Sequence, residues 1–293
     1  MFVSLASSRL TVFASLLAAC AVAAPAMGQL LKDELPPENE GVGQVQRLGE
    51  SVSLDLEFTD EYGNRVKLGD FFSPGRPVIL TLNYYSCPML CHLTLNGLLE
   101  GLREITWTAG QEFQIVTISI KPTETADDAK AYKEAYIRRY GREGVDQGWR
   151  FLVGDQRNIE AIAYQTGFGY KILPNGEDYA HPSTITFITP DGRISKYIND
   201  VMFPSRDLRF ALVEASQGGI GGPMERFLLL TCYQYDPNSG SYVPVAWKLM
   251  RTGGALTLAL LSLTLFVLWL RGGKYDRKNR PHESAVALGG MNS

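Results

Sequence analysis

The sequence predicts an α/β domain with a mixed central sheet covered by helices, followed by one C-terminal transmembrane helix. Three observations carry this. β-prone runs alternate with helix-like runs between residues 78 and 166. A strand–turn–strand pattern follows at 183–198, and an uncharged apolar stretch runs from Gly253 to Leu270.

The elements follow in order. Residues 29–50 are rich in Pro, Gly and Glu and read as an extended lead-in. Val52 to Phe58 alternates, Glu61-Tyr62-Gly63-Asn64 supplies a turn, and Arg65 to Leu68 returns, which predicts a β-hairpin. Val78 to Tyr85 is an apolar strand that leads into a helix ending near Trp107. Phe113 to Ile120 is strongly β-prone, and Asp127 to Tyr140 reads as an amphipathic helix with a solvated charged face. Trp149–Val153 is a short strand and Asn158–Thr166 a helix. Pro190-Asp191-Gly192 joins strands 183–189 and 193–198, and Ser205 caps a last helix to about Ala215. Alternation in the middle with a hairpin at the end fits a thioredoxin-like sandwich over residues 51–217. Residues 218–251 then read as a Gly- and Tyr-rich linker.

Composition narrows the function. The chain has 293 residues and a net charge of −3, with no basic block in the globular part. No nucleic-acid partner is expected. Four cysteines are too few for a disulfide framework. Residues 1–28 read as an export signal: Arg9, an apolar stretch from Leu10 to Ala24, then Ala24-Pro25-Ala26. Leu17-Ala18-Ala19-Cys20 offers a competing lipobox, with Cys20 as a lipidated N-terminus. The apolar stretch near the other end would span roughly 27 Å as a helix, close to the hydrocarbon thickness of a bilayer. It places a transmembrane helix at 252–271. Arg271, Lys274, Arg277, Lys278 and Arg280 follow it, against Lys248 and Arg251 before it. That asymmetry puts tail 272–293 in the cytoplasm and the globular domain on the periplasmic side of a bacterial cytoplasmic membrane.

The chemistry concentrates at Cys87-Pro88-Met89-Leu90-Cys91, where the apolar strand gives way to a helix. Unpaired backbone N–H groups and the positive end of the helix dipole favour thiolates there. Two adjacent thiolates either close a disulfide or grip a soft metal. Three residues separate them, one more than in redox thioredoxins, which opens room for a metal. Of three histidines, His282 lies in the tail and His92, beside Cys91, is free to point away from the sulfurs. His181 stands in the loop before strand 183–189, which in a thioredoxin-like fold lies beside the Cys-bearing helix terminus. Two sulfurs and one imidazole suit Cu(I) and can hold Cu(II).

Cys87-Pro88-Met89-Leu90-Cys91, the preceding strand Pro77–Tyr85, and Ala180-His181 followed by Thr189-Pro190-Asp191-Gly192-Arg193 resemble the Sco/SenC family over roughly residues 48–216. The resemblance implies a thioredoxin-like fold on a membrane tether. It implies delivery of copper to the binuclear copper site of cytochrome c oxidase subunit II, or reduction of that site's cysteines. Carried over by position, the copper ligands are Cys87, Cys91 and His181. A thioredoxin-like reductant is a further partner. Three departures stand out. His92 replaces a Pro common after the second Cys, and Lys121-Pro122 replaces a common Asp-Pro. The anchor is C-terminal, where many members carry it at the N-terminus.

Two rival functions remain at this stage. One is a thiol–disulfide reductase with Cys87 and Cys91 as the redox pair and His181 tuning a thiolate. The other is a redox or copper sensor. Cys232, near the membrane, reads as a partly buried thiol or as a transient redox or copper-handing one. Met89 reads as packing or as a weak thioether ligand. Gly218–Gly222 is a flexible joint and lacks the context of a phosphate loop.

Overall fold

The computed structural model describes residues 41–278, apart from 88–89, 218, 220, 223–225, 228–231 and 238–239. The export signal, Cys20, the start of the lead-in, Met89 and residues 279–293 therefore lie outside the described residues. In chain order the strands and helices are β1 (Gly43–Gln44), β2 (Glu57–Asp60), β3 (Arg65–Lys67), β4 (Val78–Asn83), α1 (Leu90–Glu104), β5 (Gln114–Ser119), α2 (Ala126–Tyr140) and a short α3 (Val145–Gly148). Then follow β6 (Trp149–Val153), α4 (Gln156–Thr166), β7 (Phe168–Gly169), β8 (Lys171–Ile172), β9 (Tyr179–Ala180), β10 (Ile185–Ile188), β11 (Ile194–Ile198) and α5 (Ser205–Ala215). Hairpin β12 (Tyr233–Asp236) and β13 (Ser241–Pro244) leads into α6 (Ala246–Lys278).

Seven strands form one mixed sheet in the order β11-β10-β4-β5-β6-β2-β3. β4, β5 and β6 run parallel at its centre, and their neighbours are antiparallel. All six residues of β4 are buried. This is why it reads as an unbroken apolar run: a parallel strand is covered on both faces. Its side chains divide by the two-residue strand period. Ile79 joins a core with Leu95, Leu98 and Leu102 of α1, Tyr136 of α2 and Leu208 of α5. Val78, Leu80 and Leu82 face the opposite way, against Ile159 and Ile162 of α4. Each such leucine contributes about 1.5–3 kcal/mol by leaving water.

α2 starts at a capping box between Thr125 and Asp128 and stops at Gly141, whose φ of 66° is left-handed. Two glycines in α1 let another segment approach. A Cβ at Gly97 would lie 2.0 Å from the Val201 carbonyl, and one at Gly101 2.2 Å from that of Phe203. The loop from β11 to α5 therefore lies directly on the Cys-bearing helix.

Three expectations are corrected. The first strand of the hairpin, β2, begins at Glu57 rather than Val52, because the residues before it bond elsewhere. The Val52 N–H donates to the Gly192 carbonyl and the Ser53 N–H to Gln165. The charged face of α2 is not wholly solvated. Lys133 is buried and pairs with Glu61 at 2.6 Å and Asp146 at 3.2 Å, while Arg150 binds Glu61 and Asp60 at 2.9 and 2.8 Å. This cluster ties the β2–β3 turn to α2 and β6. Lastly, residues 233–244, within the segment read as a linker, fold into a hairpin docked on α5 and β11. Tyr235 and Tyr242 are buried, and the Tyr235 hydroxyl donates to the Tyr197 carbonyl at 2.6 Å. Tyr242 hydrogen-bonds Glu214 and meets the Phe210 ring edge-on.

α6 carries the one stretch among the described residues long and apolar enough to cross a membrane, Met250–Leu268, with mean hydropathy 1.6 and none of it buried. The Thr257 and Thr264 hydroxyls donate to the carbonyls of Gly253 and Leu260. Polar groups in such a helix are thus satisfied internally, as a bilayer requires.

Candidate copper site

The site grows from the end of β4. Tyr84 and Tyr85 continue the strand's alternation, so their side chains fall on opposite faces. Tyr85 enters the core below α1 and donates its hydroxyl to the Leu152 carbonyl at 2.7 Å. Burial pushes that hydroxyl's pKa well up, helped by the charges of Glu124 and Glu61. Tyr84 joins the opposite core together with Cys87. The Cys87 N–H donates back to the Tyr84 carbonyl at 3.3 Å, closing a tight turn over Tyr84–Cys87. Cys87 is 5% exposed and carries a thiol.

Cys91 is the second residue of α1, in the turn whose backbone N–H groups lack helical partners; its side chain lies outside the description. His92 is exposed and turned toward α2, where it stacks on Tyr132 at 5.3 Å with Nδ1 3.0 Å from the Tyr132 hydroxyl. It does not face the apolar core around Cys87.

His181 arrives on a different element. The small ladder of β8 and β9 precedes it and β10 follows. It is 6% exposed. Its ring stacks on Phe168 at 5.9 Å and meets the edge of Tyr84 at 6.0 Å. Nδ1 lies 3.0 Å from the Pro182 carbonyl. A carbonyl only accepts, so Nδ1 holds the proton in that bond, and in the neutral ring the lone pair falls on Nε2. A backbone carbonyl that fixes one ring nitrogen is a usual partner of a ligating imidazole.

Cys87 shares its core with Tyr84 and Phe168, the two rings that touch His181. His181 thus touches two members of the buried core to which Cys87 belongs. Among the described side chains no three His, Cys, Asp or Glu groups gather into a metal cluster. Thiolate and imidazole are donors that suit copper.

Sequence reasoning passed over three contributors. Phe168 and Tyr84 wall the site; the only sequence signal was a tyrosine pair before Cys87. Glu124 accepts the Tyr85 and Ser86 N–H groups of the turn. Lys121, noted in the sequence as a charge reversal, places Nζ 3.1 Å from the Ser86 hydroxyl and 5.9 Å from the Tyr84 ring centre. Cys232 is half-buried just ahead of β12, where its carbonyl accepts the Val245 N–H.

The SCO1/SenC family model matches residues 44–211, more than half the chain. The chain belongs to the SCO1/SenC family. Among solved structures, a candidate electron transfer protein from Aquifex aeolicus VF5 is 26% identical, with a TM-score of 0.51 over 58% of this chain and 94% of its own. Bradyrhizobium japonicum ScoI with copper bound is 21% identical, with a TM-score of 0.43 over 58% of this chain and 99% of its own. BsSco, a member of the Sco family of cytochrome c oxidase assembly proteins, is 20% identical, with a TM-score of 0.47 over 59% and 98%. No curated protein sequence matches this chain.

Proposed function

We propose that this SCO1/SenC protein is a membrane-anchored copper carrier that delivers its metal to the binuclear copper site of cytochrome c oxidase during assembly. Copper is the cargo. The Cys87 and Cys91 thiolates and the His181 imidazole hold it in a trigonal set. α6 is the anchor, with the globular domain outside the cytoplasmic membrane and the tail inside. The observation that supports this reading is that Tyr84 and Phe168, the two rings that touch His181, belong to the same buried core as Cys87, 94 residues away in sequence from His181. A carrier must also release its cargo. Cys87 and His181 are both buried, so release requires the turn or the loop that carries them to open.

Copper uptake by the reduced protein tests the assignment. About one copper per chain is expected, nearly abolished by Cys87→Ser or Cys91→Ser and weakened by His181→Ala. Undiminished copper in both cysteine variants contradicts it. Cells separate the carrier from a thiol–disulfide reductase. Loss of the protein should lower oxidase activity, added copper should restore much of it, and His181→Ala should mimic the loss. Full activity of His181→Ala, with no rescue by copper, would make Cys87 and Cys91 a redox pair instead.

A further inference from the structure

Glu124 stands outside every ligand set considered above, yet it is the most heavily engaged carboxylate next to the cysteine turn. It is 8% exposed and immediately precedes the N-cap of α2. Oε2 accepts the Tyr85 N–H at 2.8 Å and the Ser119 hydroxyl at 2.6 Å. Oε1 accepts the Ser86 N–H and the Ser86 hydroxyl, both at 2.7 Å. Two successive backbone N–H groups pointing at one anion form a nest. Here the nest is the middle of the Tyr84–Cys87 turn, and the anion belongs to the protein.

We propose that Glu124 is a positioning residue that presets the turn carrying Cys87. Strand pairing ends at Asn83, so the N–H groups of Tyr85 and Ser86 have no ladder to join. A buried N–H without an acceptor is costly, and hydrogen bonds to a charged acceptor are about twice as strong as neutral ones. Ser119, at the end of β5, anchors the same carboxylate and accepts the Lys121 N–H at 3.0 Å. The carboxylate therefore couples the ends of β4 and β5 to the residue before Cys87. It thereby presets the backbone of Cys87, whatever the cysteine pair then binds.

The test reads Cys87 directly in the reduced full-length protein. Alkylation of Cys87 by iodoacetamide, measured by mass spectrometry against Cys232 of the same molecule, should rise about tenfold in Glu124→Gln, which loses the charge and the acceptor capacity of one oxygen, and more in Glu124→Ala, which loses every acceptor bond. Glu124→Asp keeps the charge and should fall between wild type and Gln. Glu61→Gln, in the ion cluster of Lys133 and Arg150, should lower the melting temperature without changing the Cys87 to Cys232 ratio. An unchanged ratio in both Glu124→Gln and Glu124→Ala would overturn the proposal, and so would an equal rise in Glu61→Gln. A second arm rests on the ligand role proposed for Cys87: the Cu(II)–thiolate absorption band should move in Glu124→Gln. Absence of that band in wild type would count against copper binding and leave the alkylation result standing.

Discussion

His181 stacks on Phe168 with ring centroids 5.9 Å apart and planes inclined by 27°. The two residues come from different parts of the fold. Phe168 opens β7 just after α4, where Gly167 takes a left-handed φ of 68° that ends the helix. The ring thus packs against the imidazole from a different element. In the proposed site, copper binding depends on a residue with no donor atom.

Phe168→Ala should therefore weaken copper binding about tenfold, besides costing about 3–5 kcal/mol of stability as a buried aromatic is lost. Phe168→Leu should keep most of the stability and still shift the Cu(II) spectrum, because the flat surface under the imidazole is gone. Competition with a chromophoric chelator and a thermal melt report the two effects separately. Copper affinity unchanged in both variants would show that the wall plays no part.

The docked hairpin predicts a sharp dependence on where the chain is cut. A soluble fragment ending at Val245 keeps Tyr235 and Tyr242 in place and should melt as a single cooperative unit. One ending at Gln217 loses both tyrosines and should be less stable by several kcal/mol, since each buried aromatic contributes about 3–5 kcal/mol. Equal denaturant midpoints for the two fragments would show that the hairpin adds nothing to the domain.

Alkaline pH should destabilise the protein in a defined window. Burial pushes the Tyr197 hydroxyl, which donates to the Thr166 carbonyl at 3.0 Å, up to about 12, from 10.0. Tyr170 is likewise pushed up to about 12 by burial. Between these values the folded state keeps protons that the unfolded chain has lost, so stability is full below pH 10 and falls as pH rises toward 12. Tyr197→Phe should flatten part of that decline. Urea midpoints between pH 9 and 12 measure it, and parallel declines in the two proteins would contradict it.

Much of the fold could be read from sequence because its signals are local. The unbroken apolar run of β4, the Thr125–Asp128 capping box and the Pro190-Asp191-Gly192 turn each announce an element within a few residues. Long-range bonds were harder to see. Val52 left its hairpin for the Gly192 carbonyl, and Lys133 looked solvated until Glu61 folded against it. The same limit applied at the site. The cysteine pair and His181 are chemically conspicuous residue types. Phe168, Tyr84 and Glu124 are ordinary ones whose roles come only from what the fold sets beside them.

Copper transfer tests the account most directly. Reduced protein loaded with one copper per chain would be mixed with the soluble copper-free domain of cytochrome c oxidase subunit II, its cysteines already reduced. The account predicts that copper leaves Cys87, Cys91 and His181 and that the recipient gains the absorption of its binuclear site. Pre-reduction removes any need for electrons from the donor, so a reductase would have nothing to add. Copper retained on this protein, with the recipient left empty while free copper fills it, would contradict the carrier reading.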